Sequence, residues 1–179
     1  RHRNRAADLG VVVTHRRVTA PLDGSLLDEA MVLIRNVENH HRLPHYGWAR
    51  AILGNAHLVD AAWLTAEIGG RMVGCGLLLG DRGTWCLASL GLDYAFNYVY
   101  FQLLYQAIRC AIEEQDVHVL RGGSEVYETK QRLGFQLEDS HHLVFAGAGT
   151  LSRTLGQWLA GRIARAEPVR VAQDVEDEP

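Results

Sequence analysis

Apolar positions along this chain change their period several times, and each change marks a new element. Residues 10–19 (GVVVTHRRVT) are rich in β-branched side chains and predict a strand, broken by Pro21 and by Asp23-Gly24. From Leu26 to His41 the apolar residues Leu26, Leu27, Ala30, Leu33, Ile34 and Val37 recur at helical spacing, and Pro44 stops that helix. Residues 46–57 predict a second, shorter helix. A meander of three strands follows, over 61–68, 71–79 and 84–90. Gly69-Gly70 makes its first turn, because glycine accepts positive φ at both central positions, and Gly80–Gly83 makes its second. Over 98–115, Phe101, Leu104, Ile108, Ala111 and Ile112 line one face of a long helix. A short strand over 117–120, a helix from Ser124 to near Gly134, a strand over 135–146 and an amphipathic helix over 151–166 complete the order. Ser124 is placed to cap its helix, with Glu125 and Glu128 in the first turn.

These elements predict one α/β domain with a mixed central sheet and helices on both faces. Strand 84–90, helix 98–115 and strand 117–120 form a crossover unit, so those two strands are expected to be parallel neighbours. Ligand sites in such sheets gather at the carboxyl ends of the strands, here the loop Gly91–Asn97 and the stretch Arg121–Ser124. The domain is expected over 10–148, with a basic tail over 1–9, the amphipathic helix over 149–167 and an acidic tail over 168–179.

Composition narrows the picture. With 179 residues, of which 47% are hydrophobic, the chain can bury one full core and is short for two. A net charge of −3 argues against a generally basic nucleic-acid binder. No apolar run reaches the roughly 18–20 residues of a membrane helix, so no membrane partner is expected. The basic start RHRNRAADLG has no apolar stretch behind it, so no signal peptide is expected, and the expected location is cytoplasmic. Cys75, Cys86 and Cys110 lie in apolar stretches and read as reduced, buried thiols. The chain begins with Arg1, as an excised segment or the C-terminal part of something longer would. Of the 18 lysine and arginine residues, Lys130 is the single lysine.

The segment YFQLLYQAIRCAIEEQDVHVLRGGSEVYETKQRLGF carries a family likeness. The order of elements is similar to the GNAT-like N-acyltransferase fold, and this segment resembles its FemAB-like branch, which includes peptidoglycan biosynthesis/recognition N-acyltransferases. The features that match are Leu104-Tyr105-Gln106-Ala107-Ile108 in the helix, the turn Arg121-Gly122-Gly123-Ser124, Lys130 on the next helix, and Ser140-His141-His142 on the last strand. The likeness covers residues 60–146. Acetyl-CoA users of this fold usually have Q/R-x-x-G-x-G/A after the fourth strand, where backbone N–H groups hold the pyrophosphate. Here that stretch is Gly91-Leu92-Asp93-Tyr94-Ala95-Phe96-Asn97, where a pyrophosphate would meet Asp93 and two aromatics. The resemblance therefore implies an acyl donor other than CoA, either aminoacyl-tRNA or a carrier-protein thioester. FemAB-like relatives carry two such halves in one chain. This chain has one, as a C-terminal half, a single-domain descendant, or a unit that pairs as a homodimer.

Acyl transfer to an amine needs a neutral amine, a place for the developing oxyanion, and release of the leaving group. The resemblance implies that Lys130 stabilises an oxyanion or leaving group, or grips a donor phosphate, against the plainer role of a solvated surface lysine. Glu125 could act as a general base and Tyr127 as a donor to an oxyanion, against the plainer roles of helix N-terminus and packing. His142 is the strand histidine assigned to the site by the resemblance, since neighbouring His141 points to the other face. Gly91, Asp93, Tyr94, Phe96, Asn97, Tyr105, Gly122, Gly123 and Ser124 are the expected substrate-binding residues. His40, His41 and His45, with His57 later, do not make a metal-ligand pattern and read as acceptor contacts or surface histidines.

The leading expectation is an N-acyltransferase with a direct, ternary-complex mechanism, no tightly bound cofactor and no metal. Its partners would be a small-molecule amine acceptor and a tRNA or carrier-protein donor. Two alternatives compete: a non-catalytic module that binds a partner or completes a dimer, and an acetyl-CoA-dependent N-acetyltransferase with a divergent pyrophosphate loop.

Overall fold

The computed structural model describes residues 10–114, 116–123 and 127–137, together with positions 154, 158 and 162. It divides into two compact units, Arg1–Val126 and Tyr127–Pro179.

In the first unit the elements run β1 (Val12–Arg17), α1 (Gly24–His40), α2 (Ala49–Gly54), a 3-10 turn (Ala56–Leu58), β2 (Asp60–Ile68), β3 (Arg71–Asp81), β4 (Thr84–Leu92), α3 (Val99–Glu113) and β5 (Val119–Arg121). The sheet order is β1-β2-β3-β4-β5. The first three pairings are antiparallel. The last, across the crossover through α3, is parallel as expected. Asp23 opens α1, its carboxylate accepting the Ser25 N–H at 3.1 Å. Gly69 and Gly70 turn at φ 59° and 80°, the double positive φ that the β2–β3 hairpin requires.

The second hairpin turn differs from expectation. It falls at Arg82 and Gly83, with φ of 45° and 78°, while Gly80 stays inside β3. A Cβ on Gly80 would stand 2.4 Å from the Trp85 indole nitrogen and 2.6 Å from Asp60 Oδ2. The bare glycine lets the Trp85 N–H reach across β3 to Asp60, at 3.1 Å.

Helices cover both faces of the sheet, so β2 and β3 are buried along most of their length. On one face α1 brings Ala30, Leu33 and Ile34 against Trp63, Cys75 and Leu77. On the other, α3 brings Val99, Leu103, Ala107 and Cys110 against Ala62, Leu64, Val73, Leu78 and Trp85. The buried face of α3 is thus Val99, Leu103, Leu104, Ala107, Cys110 and Ala111. Ile112, expected on that face, is 77% exposed. Each helix crosses the sheet over a glycine. A Cβ on Gly74 would lie 2.4 Å from Val99 Cγ1, and one on Gly91 would lie 2.8 Å from Leu33 Cβ and 2.9 Å from the Ile34 nitrogen.

The second unit contains α4 (Tyr127–Arg132). It ends at Gly134 as expected, in a Schellman motif: Phe135 N–H donates to the Lys130 carbonyl at 3.0 Å and Gly134 N–H to Gln131 at 2.9 Å, with Gly134 at φ 94°. Residues 135–137 have no strand structure, and the remainder of the expected last strand lies outside the described residues. Thr154, Trp158 and Arg162 are helical and exposed, and the Arg162 guanidinium sits 5.3 Å from the Trp158 ring centroid.

Candidate functional site at the carboxyl end of β4

β4 has two halves. Thr84, Trp85 and Cys86 are flanked by β3 on one side and by Val119, Leu120 and Arg121 of β5 on the other. Beyond Cys86 the strand bulges: Leu78 pairs with Leu87 and Leu77 with Ser89, leaving Ala88 as the extra residue. From there to Leu92 β4 pairs with β3 alone among the described residues. Past β5 the chain turns at Gly123, whose φ is 75°, and a Cβ there would stand 3.1 Å from the Leu87 carbonyl oxygen. β5 therefore pairs with only the first three residues of β4, and among the described residues no strand lies along the β4 edge toward its carboxyl end.

The loop that follows is held from three directions. Asp93 N–H donates to the Val73 carbonyl at 2.9 Å, and Phe96 N–H donates to the Asp93 carbonyl at 3.1 Å. Of the Asp93 carboxylate oxygens, Oδ1 accepts the Ala95 N–H at 3.0 Å and Oδ2 accepts from the Arg71 guanidinium at 2.7 Å. That guanidinium also lies 5.9 Å from the Phe96 ring centroid. From the other side comes the end of α1: His40 stacks on Tyr94 with centroids 3.9 Å apart and planes at 17°, and the Tyr94 hydroxyl meets His41 Nε2 at 3.2 Å.

Tyr98 closes the loop in the left-handed region at φ 74° and stands at the N-cap of α3 without a side-chain cap hydrogen bond; the first turn holds no acidic residue. A helix start of this kind carries partial positive charge and amide donors suited to an anion.

Behind the loop, the buried Glu38 carboxylate takes the Arg35 guanidinium at 2.6 Å and the Tyr46 N–H at 3.2 Å. It ties the 41–48 connection to the last turn of α1. Next to it, His45 Nε2 and Asn39 Oδ1 are 2.8 Å apart.

Several expected site residues stand elsewhere than foreseen. Gly91 is not in the loop but buried in β4, where it lets the backbone of α1 approach. Asp93 is not aimed at a ligand as a bare charge: its side chain is 16% exposed and bound to Arg71. Lys130 is not a solvated lysine, being 7% exposed. Tyr94 and Asn97 are exposed, Phe96 is partly buried, and Tyr105 is half-buried in α3. Gly122 and Gly123 follow β5, and Tyr127 is exposed at the start of α4. Ser124, Glu125 and His142 lie outside the described residues. Sequence reasoning passed over Arg71 and Glu38. Counting outward from the turn at Arg82-Gly83 brings Arg71 opposite residues 93–95, a signal that was there to be read. Glu38 carried none beyond a charge at an otherwise apolar helical position.

Burial pushes the Cys75 thiol up to about 12. Burial, then the Glu114 carboxylate, pushes Cys110 up to about 11, while Arg17 pulls the other way. Neither is a thiolate nucleophile at neutral pH. Among the described residues no three His, Cys, Asp or Glu side chains converge on a point where a metal could sit, and no helix is long and apolar enough to cross a membrane.

No protein-family model and no curated protein matches the chain. Solved structures do. A possible acetyltransferase from Clostridium difficile 630 superposes with a TM-score of 0.57 at 11% identity, covering 77% of this chain and 99% of that one. The PaiA N-acetyltransferase of Thermoplasma acidophilum, solved with coenzyme A, gives 0.53 at 17% identity over 73% and 93%. A GNAT-family acetyltransferase from Streptococcus pneumoniae TIGR4 gives 0.51 at 17% identity over 77% and 100%. At these identities what is shared is the fold, and the fold of this chain is that of the GNAT acetyltransferases.

Proposed function

We propose that this chain is an acyl-CoA-dependent N-acyltransferase, with acetyl-CoA as donor and a primary amine as acceptor. The observation that carries the reading is the β4 edge, free of a strand beyond Cys86 among the described residues, leading into the start of α3, whose first turn holds no acidic residue. An extended thioester-bearing arm fits beside such an edge, and the helix start receives its phosphates. The coenzyme A complex of the Thermoplasma relative supports the same donor.

The expectation of a tRNA or carrier-protein donor rested on the FemAB-like resemblance and on a loop with no second or third glycine, no basic residue, and Asp93 and two aromatics where a pyrophosphate would lie. The objection from Asp93 weakens once Arg71 and the Ala95 N–H occupy both carboxylate oxygens. The FemAB-like resemblance of the segment from Leu104 to His142 remains the basis for the alternative donor.

In the proposed reaction the amine nitrogen attacks the thioester carbonyl, a C–N bond forms, and the C–S bond breaks. The nitrogen loses a proton and the departing sulfur gains one. Transfer is direct in this reading, and burial raises the thiols of Cys75 and Cys110 away from a nucleophilic role. On the resemblance alone, we assign Lys130 to the oxyanion or leaving group, Tyr127 as a donor to the oxyanion and Glu125 as the general base, with His142 as the strand histidine of the site.

The test is a thermal melt of the full chain with acetyl-CoA, followed by a thiol-release assay against a panel of primary amines. Acetyl-CoA at tenfold its Kd should raise the midpoint by about 3–6 °C. In the assay, Tyr127→Phe and Lys130→Met should each lower kcat by roughly 100-fold with the melting point retained. Stabilisation by aminoacyl-tRNA or an acyl carrier protein, and not by acetyl-CoA, would replace the donor. Stabilisation by none of them would leave the non-catalytic module.

A further inference from the structure

The β4–α3 loop has no lysine or arginine of its own between Leu92 and Tyr98. Its positive charge arrives from another element: Arg71, the first residue of β3, reaches it directly after the Gly69-Gly70 turn. The groups facing the loop are the Arg71 guanidinium, the Asp93 carboxylate, and the His40 and His41 imidazoles on Tyr94. Arg71 is no buried structural cation. Its side chain is 69% exposed, against 16% for Asp93, and one of its nitrogens meets Asp93 Oδ2. A guanidinium has five N–H donors in a fixed fork, and a carboxylate contact made through one nitrogen leaves the others for a second anion.

We propose that Arg71 is the specificity-determining cation of the donor site, reading the phosphates of acyl-CoA, and that Asp93 holds it there while attenuating it. This rests on the acyl-CoA reading above. Asp93 has two opposed effects: through Oδ1 it shapes the loop by accepting the Ala95 N–H, and through Oδ2 it competes with a phosphate for the same guanidinium. Asparagine at position 93 keeps an oxygen for the Ala95 amide and removes the charge, so it separates the two effects.

The experiment is calorimetric titration of the full chain with three probes: CoA, dephospho-CoA, which lacks the 3′-phosphate, and pantetheine, which has no phosphate. Arg71→Ala should weaken CoA binding roughly tenfold and leave pantetheine binding as it was. Asp93→Asn should tighten CoA binding severalfold, the opposite sign to what loss of a purely structural ion pair gives. If Arg71→Ala weakens CoA and dephospho-CoA alike, the pyrophosphate is the target; if only CoA is weakened, the 3′-phosphate is. Equal losses for CoA and pantetheine, or weaker CoA binding in Asp93→Asn, would overturn the assignment. Should Arg71→Ala fold poorly, Arg71→Gln and the sign of the Asp93→Asn effect still decide it. A wild-type chain that binds none of the probes would refute the acyl-CoA reading itself, a result distinct from failure of the Arg71 assignment.

Discussion

Helices α1 and α3 cover opposite faces of the sheet, and each crosses it above a glycine, but the two contacts differ in kind. Above Gly74 the nearest atoms belong to side chains, Val99 Cγ1 at 2.4 Å and Leu103 Cδ1 at 3.0 Å from an added Cβ. Above Gly91 they include the main chain of α1, the Ile34 nitrogen at 2.9 Å, with Leu33 Cβ at 2.8 Å and Cys75 Sγ at 2.7 Å. Side chains change rotamer at modest cost, whereas a helix backbone moves only as a whole. The α1 face is therefore the stiffer of the two, and it is the face whose helix ends against Tyr94. The α3 face adjusts by repacking, and its helix begins at the loop. One wall of the candidate site is thus set by backbone packing and the other by side chains.

The comparison breaks if the two glycines tolerate a methyl group equally. Gly91→Ala should lose about 3 kcal/mol in urea unfolding and Gly74→Ala about 1–2 kcal/mol, within the range of overpacked cores. A reversed order would make α3 the rigid partner. A smaller effect uses the buried thiols, Cys75 on the α1 face and Cys110 on the α3 face. Their folded values of about 12 and about 11 stand above the ordinary 9.0, so the folded state keeps protons that the unfolded state gives up. The stability they contribute is complete below about pH 9 and is lost as pH rises toward 11 and 12. Cys75→Ala and Cys110→Ala should each flatten that alkaline decline, Cys75→Ala over the wider pH range. The smallest effect is the control: Arg109→Ala, which removes the exposed 2.6 Å pair with Glu113, should change stability by less than about 0.5 kcal/mol.

The sheet was legible because its signals are local. Gly69-Gly70 announces a turn by itself, and the crossover from β4 through α3 to β5 follows from element order alone. The loop after β4 was misjudged because its character depends on contacts between residues far apart in sequence. Asp93 looked hostile to a phosphate until Arg71, 22 residues away, was found bound to it. His40 and His41 are exposed, as expected of surface histidines, but their contact with Tyr94, 53 residues beyond His41, had no signal in the sequence. Helical periodicity placed Ile112 on the buried face of α3 because it was tuned on Ile108, which is only partly buried; the stripe set by Val99, Leu103, Ala107 and Cys110 lies a step around the helix. Gly80 looked like part of a turn because nothing near it in sequence reveals that an indole must pass over it to Asp60.

The single lysine has a chemical consequence of its own. Activated thioesters acylate exposed lysine amines without any catalyst, and a protein that handles them is exposed to its own reagent. Arginine side chains remain protonated and do not undergo that reaction at ordinary pH. This chain places arginine at all but one of its 18 lysine and arginine positions, and the exception, Lys130, is buried. Any lysine-directed self-modification therefore has a single address.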